Sequence, residues 1–263
     1  MTSSGHDLTS GRTGSGRAGE NTASTPQPAA AFPSGTTAAE GGYDLIVQQL
    51  IPGYASLARL AVSLLAVSPR ASRAGAAVLV AGCGTGAELV EARLQRPDWQ
   101  LTAIDPSSAM LAAAQRRLEG VATPPEAPAI DWIRTTVEEL SRPAGFDGAL
   151  SVLVLQSLAD DGSKLAFLSS LARSLRPGGQ LVLVDLMRPE RSPLQVQVEE
   201  AWCAFQRASG LQGASEALEA LSPRLHPIGP SRLAALVEAA GFSDPAPVFQ
   251  ALDVQGFLLQ RRA

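Results

Sequence analysis

An open, doubly wound α/β sheet is the fold class that this sequence predicts, on three observations. Short apolar runs rich in β-branched residues alternate with helical stretches from Ala77 to Asp185. The first run ends in the glycine-rich turn Gly82-Cys-Gly-Thr-Gly86, followed at once by a helix. The last two runs, Pro247 to Leu252 and Val254 to Gln260, have almost no linker, so they must form an antiparallel hairpin.

The elements follow in order. Residues 43 to 67 hold two helical stretches broken at Pro52-Gly53, and the second places Leu57, Leu60, Ala61 and Leu64 on one face. Ala77 to Ala81 is the first strand, and Ala87 to Leu94 the helix after the glycine turn. Gln100 to Ile104 is a strand, and Ser107 to Leu118 a helix capped by the Ser107 hydroxyl. Ile130 to Arg134 is a strand, with a short helix expected around Glu138. Phe146 to Leu153 is a strand, Lys164 to Leu175 a helix stopped by Pro177-Gly178-Gly179, and Gln180 to Asp185 the next strand. Right-handed crossovers between parallel strands put helices on both faces. The alternation then breaks: residues 193 to 222 read as mainly helical, and Ser231 to Ala240 is a helix closed by Gly241.

The first 42 residues are different material. Gly, Ser, Thr, Ala and Pro fill 31 of them, and Met1, Leu8 and Phe32 are the only large apolar residues. Such a segment buries too little surface to offset its ordering entropy, so a disordered tail is expected before a domain over 43–263. It has no apolar core of a secretory signal, and Asp7, Glu20 and Glu40 weigh against a transit peptide.

Composition narrows the function. A net charge of −4 gives no basic excess to release counterions from nucleic acid, so no nucleic-acid partner is expected. No apolar run reaches membrane-spanning length, so no membrane partner is expected. Cys83 and Cys203 cannot build a disulfide framework and suggest a cytoplasmic setting. Lys164 stands alone against 20 arginines, which reads as a genomic codon preference. No cluster has metal-ligand spacing, so no metal is expected.

The glycine turn carries the first chemical signal. Glycine lets backbone approach a ligand without Cβ interference, and the helix behind it directs free N–H groups to the same point. Asp105 stands 23 residues after Gly82 at the end of the second strand, where a carboxylate can accept both hydroxyls of a ribose. Turn and acid together suggest a nucleoside cofactor. The spacing is G-x-G-x-G, not the G-x-G-x-x-G of dinucleotide binders.

With Val78-Leu-Val-Ala-Gly-Cys-Gly-Thr-Gly86, Ala103-Ile-Asp-Pro-Ser-Ser-Ala-Met-Leu111, Phe146-Asp-Gly-Ala-Leu-Ser151, Leu175-Arg-Pro-Gly-Gly-Gln-Leu-Val-Leu-Val184 and Leu236-Val-Glu-Ala-Ala-Gly-Phe242 in this order, the chain resembles class I S-adenosylmethionine-dependent methyltransferases from about residue 43 onward. That resemblance implies a Rossmann-like methyltransferase sheet of order 3-2-1-4-5-7-6 with strand 7 antiparallel, and a helical lid insertion at about 192–228. It implies S-adenosyl-L-methionine as cofactor. Val47-Gln-Gln-Leu-Ile-Pro-Gly-Tyr54 and Phe205-Gln-Arg-Ala-Ser-Gly210 are similar to segments of the carboxy-S-adenosylmethionine synthase branch. By resemblance, Tyr54 contacts the methionine end of the cofactor. Gly82, Cys83, Gly84 and Gly86 belong to the loop around its amino-acid portion, and Asp105 grips the ribose. Pro106 and Met110 pack near the adenine, Thr136 and Val137 meet the adenine amino group, and Val152 lines the pocket floor.

The chain departs from the family pattern at three places. Val80 stands where many relatives carry an acid, and Thr136 replaces the adenine-side acid. The synthase branch implies a carboxylate-gripping arginine near Ala217 to Leu221; that stretch has none, and Arg224 lies several residues later. The sequence therefore favours methyl transfer to a small organic substrate. A synthase-like enzyme using prephenate and a non-catalytic cofactor-binding module stay open as alternatives.

On the substrate side, Trp202 and Phe205 share a helical face near Val198 and suit either an apolar substrate wall or lid packing. Arg207 suits a substrate carboxylate or a surface ion pair. His226 suits a base or a surface loop residue, and Asp185 at the end of its strand suits a site or a structural role. Cys83 has backbone and no base around it, which argues against a nucleophile. No catalytic residue is assigned. The expected partner is a small-molecule substrate, and a homodimer is open.

Overall fold

The computed structural model describes residues 42–140, 145–211 and 224–263. The expected tail therefore lies outside the described residues but for Gly42, as do residues 212–223 of the expected lid and the stretch Ala217 to Leu221 within it. Two helices come first, α1 (Gly42–Leu50) and α2 (Tyr54–Ala66), with a 97° bend between them. Then follow β1 (Ala77–Ala81), α3 (Ala87–Gln95), β2 (Gln100–Ile104), α4 (Ser108–Glu119), β3 (Asp131–Ile133) and β4 (Phe146–Val152). A 3-10 turn at Leu155–Ser157 leads to α5 (Ser163–Ser174), β5 (Leu175–Leu186) and the lid helix α6 (Gln195–Ala208). The chain closes with α7 (Pro230–Ala239), β6 (Ala246–Ala251) and β7 (Val254–Gln260).

The seven strands among the described residues form one sheet in the order β3-β2-β1-β4-β5-β7-β6. Strands β1 to β5 pair in parallel, and β7 runs antiparallel between β5 and β6. This is the expected order. Alternation along the strands divides the core into two layers. Val78, Val80, Leu150, Val182 and Val184 face one layer, which Leu57, Ala61 and Leu65 of α2 and Val47 and Leu50 of α1 complete. Leu79, Ala81, Ala149, Leu181 and Leu183 face the other, against Phe167, Leu168 and Leu171 of α5 and Leu233, Leu236 and Val237 of α7. Among the described residues no single helix is long and apolar enough to cross a membrane.

Three local expectations are corrected. Residues around Glu138 form bends and no helix; Val137 is buried but Glu138 and Glu139 are exposed, so the stretch lacks a second apolar turn to anchor a helix. The strand expected from Gln180 begins at Leu175, because Phe146 of β4 already pairs with Leu175, and a register shift after it accommodates Pro177-Gly178-Gly179. β3 is two residues shorter than expected.

Candidate functional site

Parallel order directs the carboxyl ends of β1, β2 and β4 to one edge, and the loops there gather the predicted cofactor residues. Gly82 and Cys83 both donate their amides to the carbonyl of Ile104, the last residue of β2, at 2.9 and 3.0 Å. The glycine turn is thus stitched to the neighbouring strand end. Gly82 has φ +69°, and a Cβ there would stand 2.5 Å from Val154 Cγ2 in the turn after β4. Its bareness serves that close approach. Gly84 has φ +50°, and a Cβ there would meet no atom within 4 Å. Its side faces open space, the condition for backbone to meet a ligand. Gly86 precedes the first turn of α3.

Asp105 follows β2 directly and is only 8% exposed. Its Oδ2 accepts from Gly84 N at 3.0 Å and its Oδ1 from Ser107 N at 2.8 Å. Burial pushes its carboxyl up, while the Ser107 and Gly84 amides pull it down. A carboxylate has about four lone-pair sites, so two backbone bonds leave room for two ribose hydroxyls. The Ser107 hydroxyl caps α4 by accepting from Met110 N, as expected, at 3.3 Å. Met110 and Val137 are buried, and Pro106, Thr136 and Val152 partly so. Cys83 is 2% exposed. Burial first, then the charges of Asp105 and Glu88, raises its thiol well above the ordinary value, so it is no ready nucleophile.

The N-terminal helix reaches over this loop. Thr85 Oγ1 donates to Asp44 Oδ1 at 2.7 Å, and Arg117 Nη1 of α4 donates to Asp44 Oδ2 at 2.5 Å. Asp44, in the first turn of α1, thereby ties that helix to the glycine turn. Sequence reasoning missed this clasp, since its three members lie on separate segments. Tyr54 opens α2, half-buried against the same core layer.

The turn after β4 is also braced. Leu153 holds φ 58°, an uncommon conformation for a branched side chain. Asp185 is 1% exposed and accepts from Leu155 N at 2.7 Å, Gln156 N at 2.9 Å and Leu186 N at 3.0 Å. Lys164 is fully buried, and its Nζ donates to the Leu155 carbonyl at 2.5 Å. Burial raises the Asp185 carboxyl to about 7 against the pull of Lys164 and the three amides. Of the two roles open for Asp185, the structural one is the one seen. It fixes the turn whose Val154 abuts Gly82.

On the lid side, Trp202 Nε1 donates to the Leu50 carbonyl at 2.6 Å, joining α6 to the end of α1. Phe205 is partly buried and Arg207 exposed. His226 is exposed too, and its backbone amide donates to Gln156 O at 2.7 Å. Arg224 is exposed. Among the described residues no group of acids, histidines and cysteines is placed to hold a metal.

Comparison with known proteins fits this geometry. A family model described as a methyltransferase domain matches residues 78–179. A ubiquinone biosynthesis O-methyltransferase of Bradyrhizobium sp. (strain ORS 278) is 34% identical over 118 residues, 45% of this chain and 43% of that protein. The chain thus spans less than half the length of that relative. A carboxy-S-adenosyl-L-methionine synthase of Geobacter metallireducens is 29% identical over 205 residues, 75% of this chain and 80% of that one. The fold matches Burkholderia thailandensis 1,6-didemethyltoxoflavin-N1-methyltransferase, a structure holding S-adenosylhomocysteine, with TM-score 0.57, 19% identity and coverage of 86% and 85%. Glycine turn, ribose-side acid and sheet order accompany the methyltransferase-domain match over residues 78–179, and together they support S-adenosylmethionine as the cofactor.

Proposed function

We propose that this protein transfers a methyl group from S-adenosylmethionine to a small organic substrate. The observation that carries the reading is the open face of Gly84 beside the amide-bonded carboxylate of Asp105. The turn at Gly82 to Gly86 receives the amino-acid end of the cofactor, Asp105 its ribose, and Pro106, Met110, Thr136, Val137 and Val152 its adenine and the floor. When bound, the cofactor supplies an electrophilic methyl on a sulfonium that is already a good leaving group. The chain's own residues then have two tasks, alignment and exclusion of water. Trp202 and Phe205 on α6 offer the apolar wall for the second task, and Tyr54 stands at the methionine end. Thr136 accepts a hydrogen bond from the adenine amino group without contributing charge.

A synthase-like reading is supported by the 80% coverage of the Geobacter relative and by the two segments, 47–54 and 205–210, similar to the synthase branch. It requires a cation beside the sulfonium to hold a second carboxylate. Residues 217 to 221 contain no arginine, and Arg224 is exposed. Methyl transfer is therefore the better supported of the two.

Mass spectrometry of the nucleoside that co-purifies, with calorimetry of added S-adenosylmethionine, tests the proposal. S-adenosylmethionine or its demethylated product is expected. A carboxylated nucleoside, or its formation from S-adenosylmethionine and prephenate, overturns methyl transfer in favour of the synthase. Absence of any cofactor binding reduces the domain to a non-catalytic module.

A further inference from the structure

The turn after β4 is held more firmly than a link between a strand and a helix requires. Asp185, at the end of β5, accepts from Leu155 N at 2.7 Å and Gln156 N at 2.9 Å, and Lys164 Nζ donates to the Leu155 carbonyl at 2.5 Å. Asp185 is 1% exposed and Lys164 fully buried. Taking two ionisable groups out of water is costly, and a plain turn needs neither. What these bonds hold is a strained backbone. Leu153 sits at φ 58°, with its amide donating to the Val184 carbonyl at 2.7 Å. A branched residue stays in the left-handed region only where its surroundings over-determine it.

The strained turn faces two ways. Leu153 is buried in the core layer under α2. Val154, next in the chain, meets the glycine turn. The three atoms nearest to a Cβ on Gly82 would be Val154 Cγ2 at 2.5 Å, Cγ1 at 3.5 Å and Cβ at 3.6 Å. The isopropyl group thus fills the place that a side chain on Gly82 would take. On the β2 flank the glycine turn is fixed by polar bonds, from Gly82 N and Cys83 N to the Ile104 carbonyl and from Gly84 N to Asp105. On the β4 flank Val154 is the apolar stop. The backbone on either side of it, at Leu153 and Leu155, is set by Val184, Asp185 and Lys164.

We propose that Asp185 is a positioning residue for cofactor binding: through the turn after β4 it holds Val154 against Gly82, and so keeps the backbone of residues 82–84 where it meets S-adenosylmethionine. This rests on the cofactor reading above. Asp185 itself touches neither cofactor nor substrate. A misplacement of about 1 Å, caused far from the reacting atoms, is enough to cost large factors in function.

Two substitutions separate positioning from plain stability. Asp185→Asn keeps the shape but sets an NH2 group against a backbone N–H, which loosens the turn without opening a cavity. Val154→Ala removes the stop and leaves the Asp185 bonds in place. Calorimetry of S-adenosylhomocysteine on wild type, both variants and the double variant forms a double-mutant cycle, run where melting curves show each to be folded. Binding is expected to weaken about tenfold for Asp185→Asn and about fivefold for Val154→Ala, with the double variant within about twofold of the weaker single one, because both act through one contact. A residue that only stabilises the fold would lower the melting temperature without that coupling. Amide exchange gives a second readout: the Gly82 and Cys83 amides should exchange faster in both variants, with those of residues 78–80 in β1 unchanged. Unaltered affinity in folded Asp185→Asn overturns the proposal, and so do two effects that multiply. Should Asp185→Asn not fold, Lys164→Met takes its place in the cycle, since it frees the Leu155 carbonyl of the same turn, and the same outcomes decide. If wild type fails to bind S-adenosylhomocysteine, the cofactor reading falls together with this one; binding by wild type with an uncoupled Asp185→Asn strikes only Asp185.

Discussion

Two carboxylates near the glycine turn do different work because their partners differ. Asp105 has two amide donors and faces the open side of Gly84. Asp105→Ala is expected to weaken S-adenosylmethionine binding by about 1.5–3 kcal/mol, the scale of hydrogen bonds to a charged acceptor. Calorimetry beside a melting curve checks that affinity falls while the fold persists. Glu88, in the first turn of α3, is 7% exposed. Burial above all raises its carboxyl from an ordinary 4.5 to about 7, with its own amide and Arg117 pulling down and Asp44 pushing up. A folded pKa above the unfolded one means that the folded state prefers the protonated acid. The associated stability is full below about pH 4.5 and lost as pH rises to about 7. Glu88→Gln removes that loss, so its gain in stability over wild type should be larger at pH 8 than at pH 4.5, by about 3 kcal/mol at most. Urea unfolding at the two pH values decides it; an equal effect at both would show that Glu88 is not buried as a charge.

Elements show what periodicity conveys and what it leaves silent. The alternating strands and helices, the Ser107 cap and the strand–turn–helix around Gly82 were legible because each is local, whereas the strand order followed from the family resemblance. The braces between elements were not legible, because their members are far apart in sequence. Lys164 is the sharpest case. As the single lysine it reads as a compositional accident, yet it is buried under the turn after β4, beside Asp185, which is 21 residues on. Burial lowers the lysine while Asp185 and Asp160 raise it. Lys164→Met removes the hydrogen bond to the Leu155 carbonyl and the nearby positive charge that favours the buried Asp185 carboxylate, which is expected to destabilise the fold. The midpoint of urea unfolding should fall accordingly, and an unchanged midpoint would mean that Asp185 is already neutral in the fold. The Asp44 clasp is different, since it holds a helix onto a ligand loop and not a core together. Arg117 is 36% exposed there, so the ion pair adds little to global stability. Asp44→Ala should leave the melting temperature within a few degrees and speed cofactor release several-fold in stopped-flow dilution. Unaltered release would show that α1 does not gate the loop.

At the scale of the whole molecule, the composition changes at Gly42. Before it lie residues too small and polar to build a core; after it, α1 is bound at both ends. Asp44 holds Thr85 and Arg117 at one end, and Leu50 accepts from Trp202 at the other. Val47, Leu50 and Ile51 are at most 3% exposed. Burying each such side chain contributes about 1.5–3 kcal/mol, so the three together rival the 5–15 kcal/mol that holds a typical domain folded. Two truncations therefore have opposite outcomes. Removing residues 1–41 should leave the melting temperature unchanged within about two degrees and the S-adenosylmethionine affinity within twofold, because nothing in its composition can replace an apolar contact. Removing residues 1–53 takes α1 away, exposes the core layer beneath it and frees both the glycine turn and the lid; an aggregating or barely folded protein without cofactor binding is expected. Melting curves and calorimetry on the two forms are the measurement. A large loss on removing 1–41 would place part of the site in the tail, and a stable, cofactor-binding product from the longer deletion would show that α1 covers the domain without supporting it.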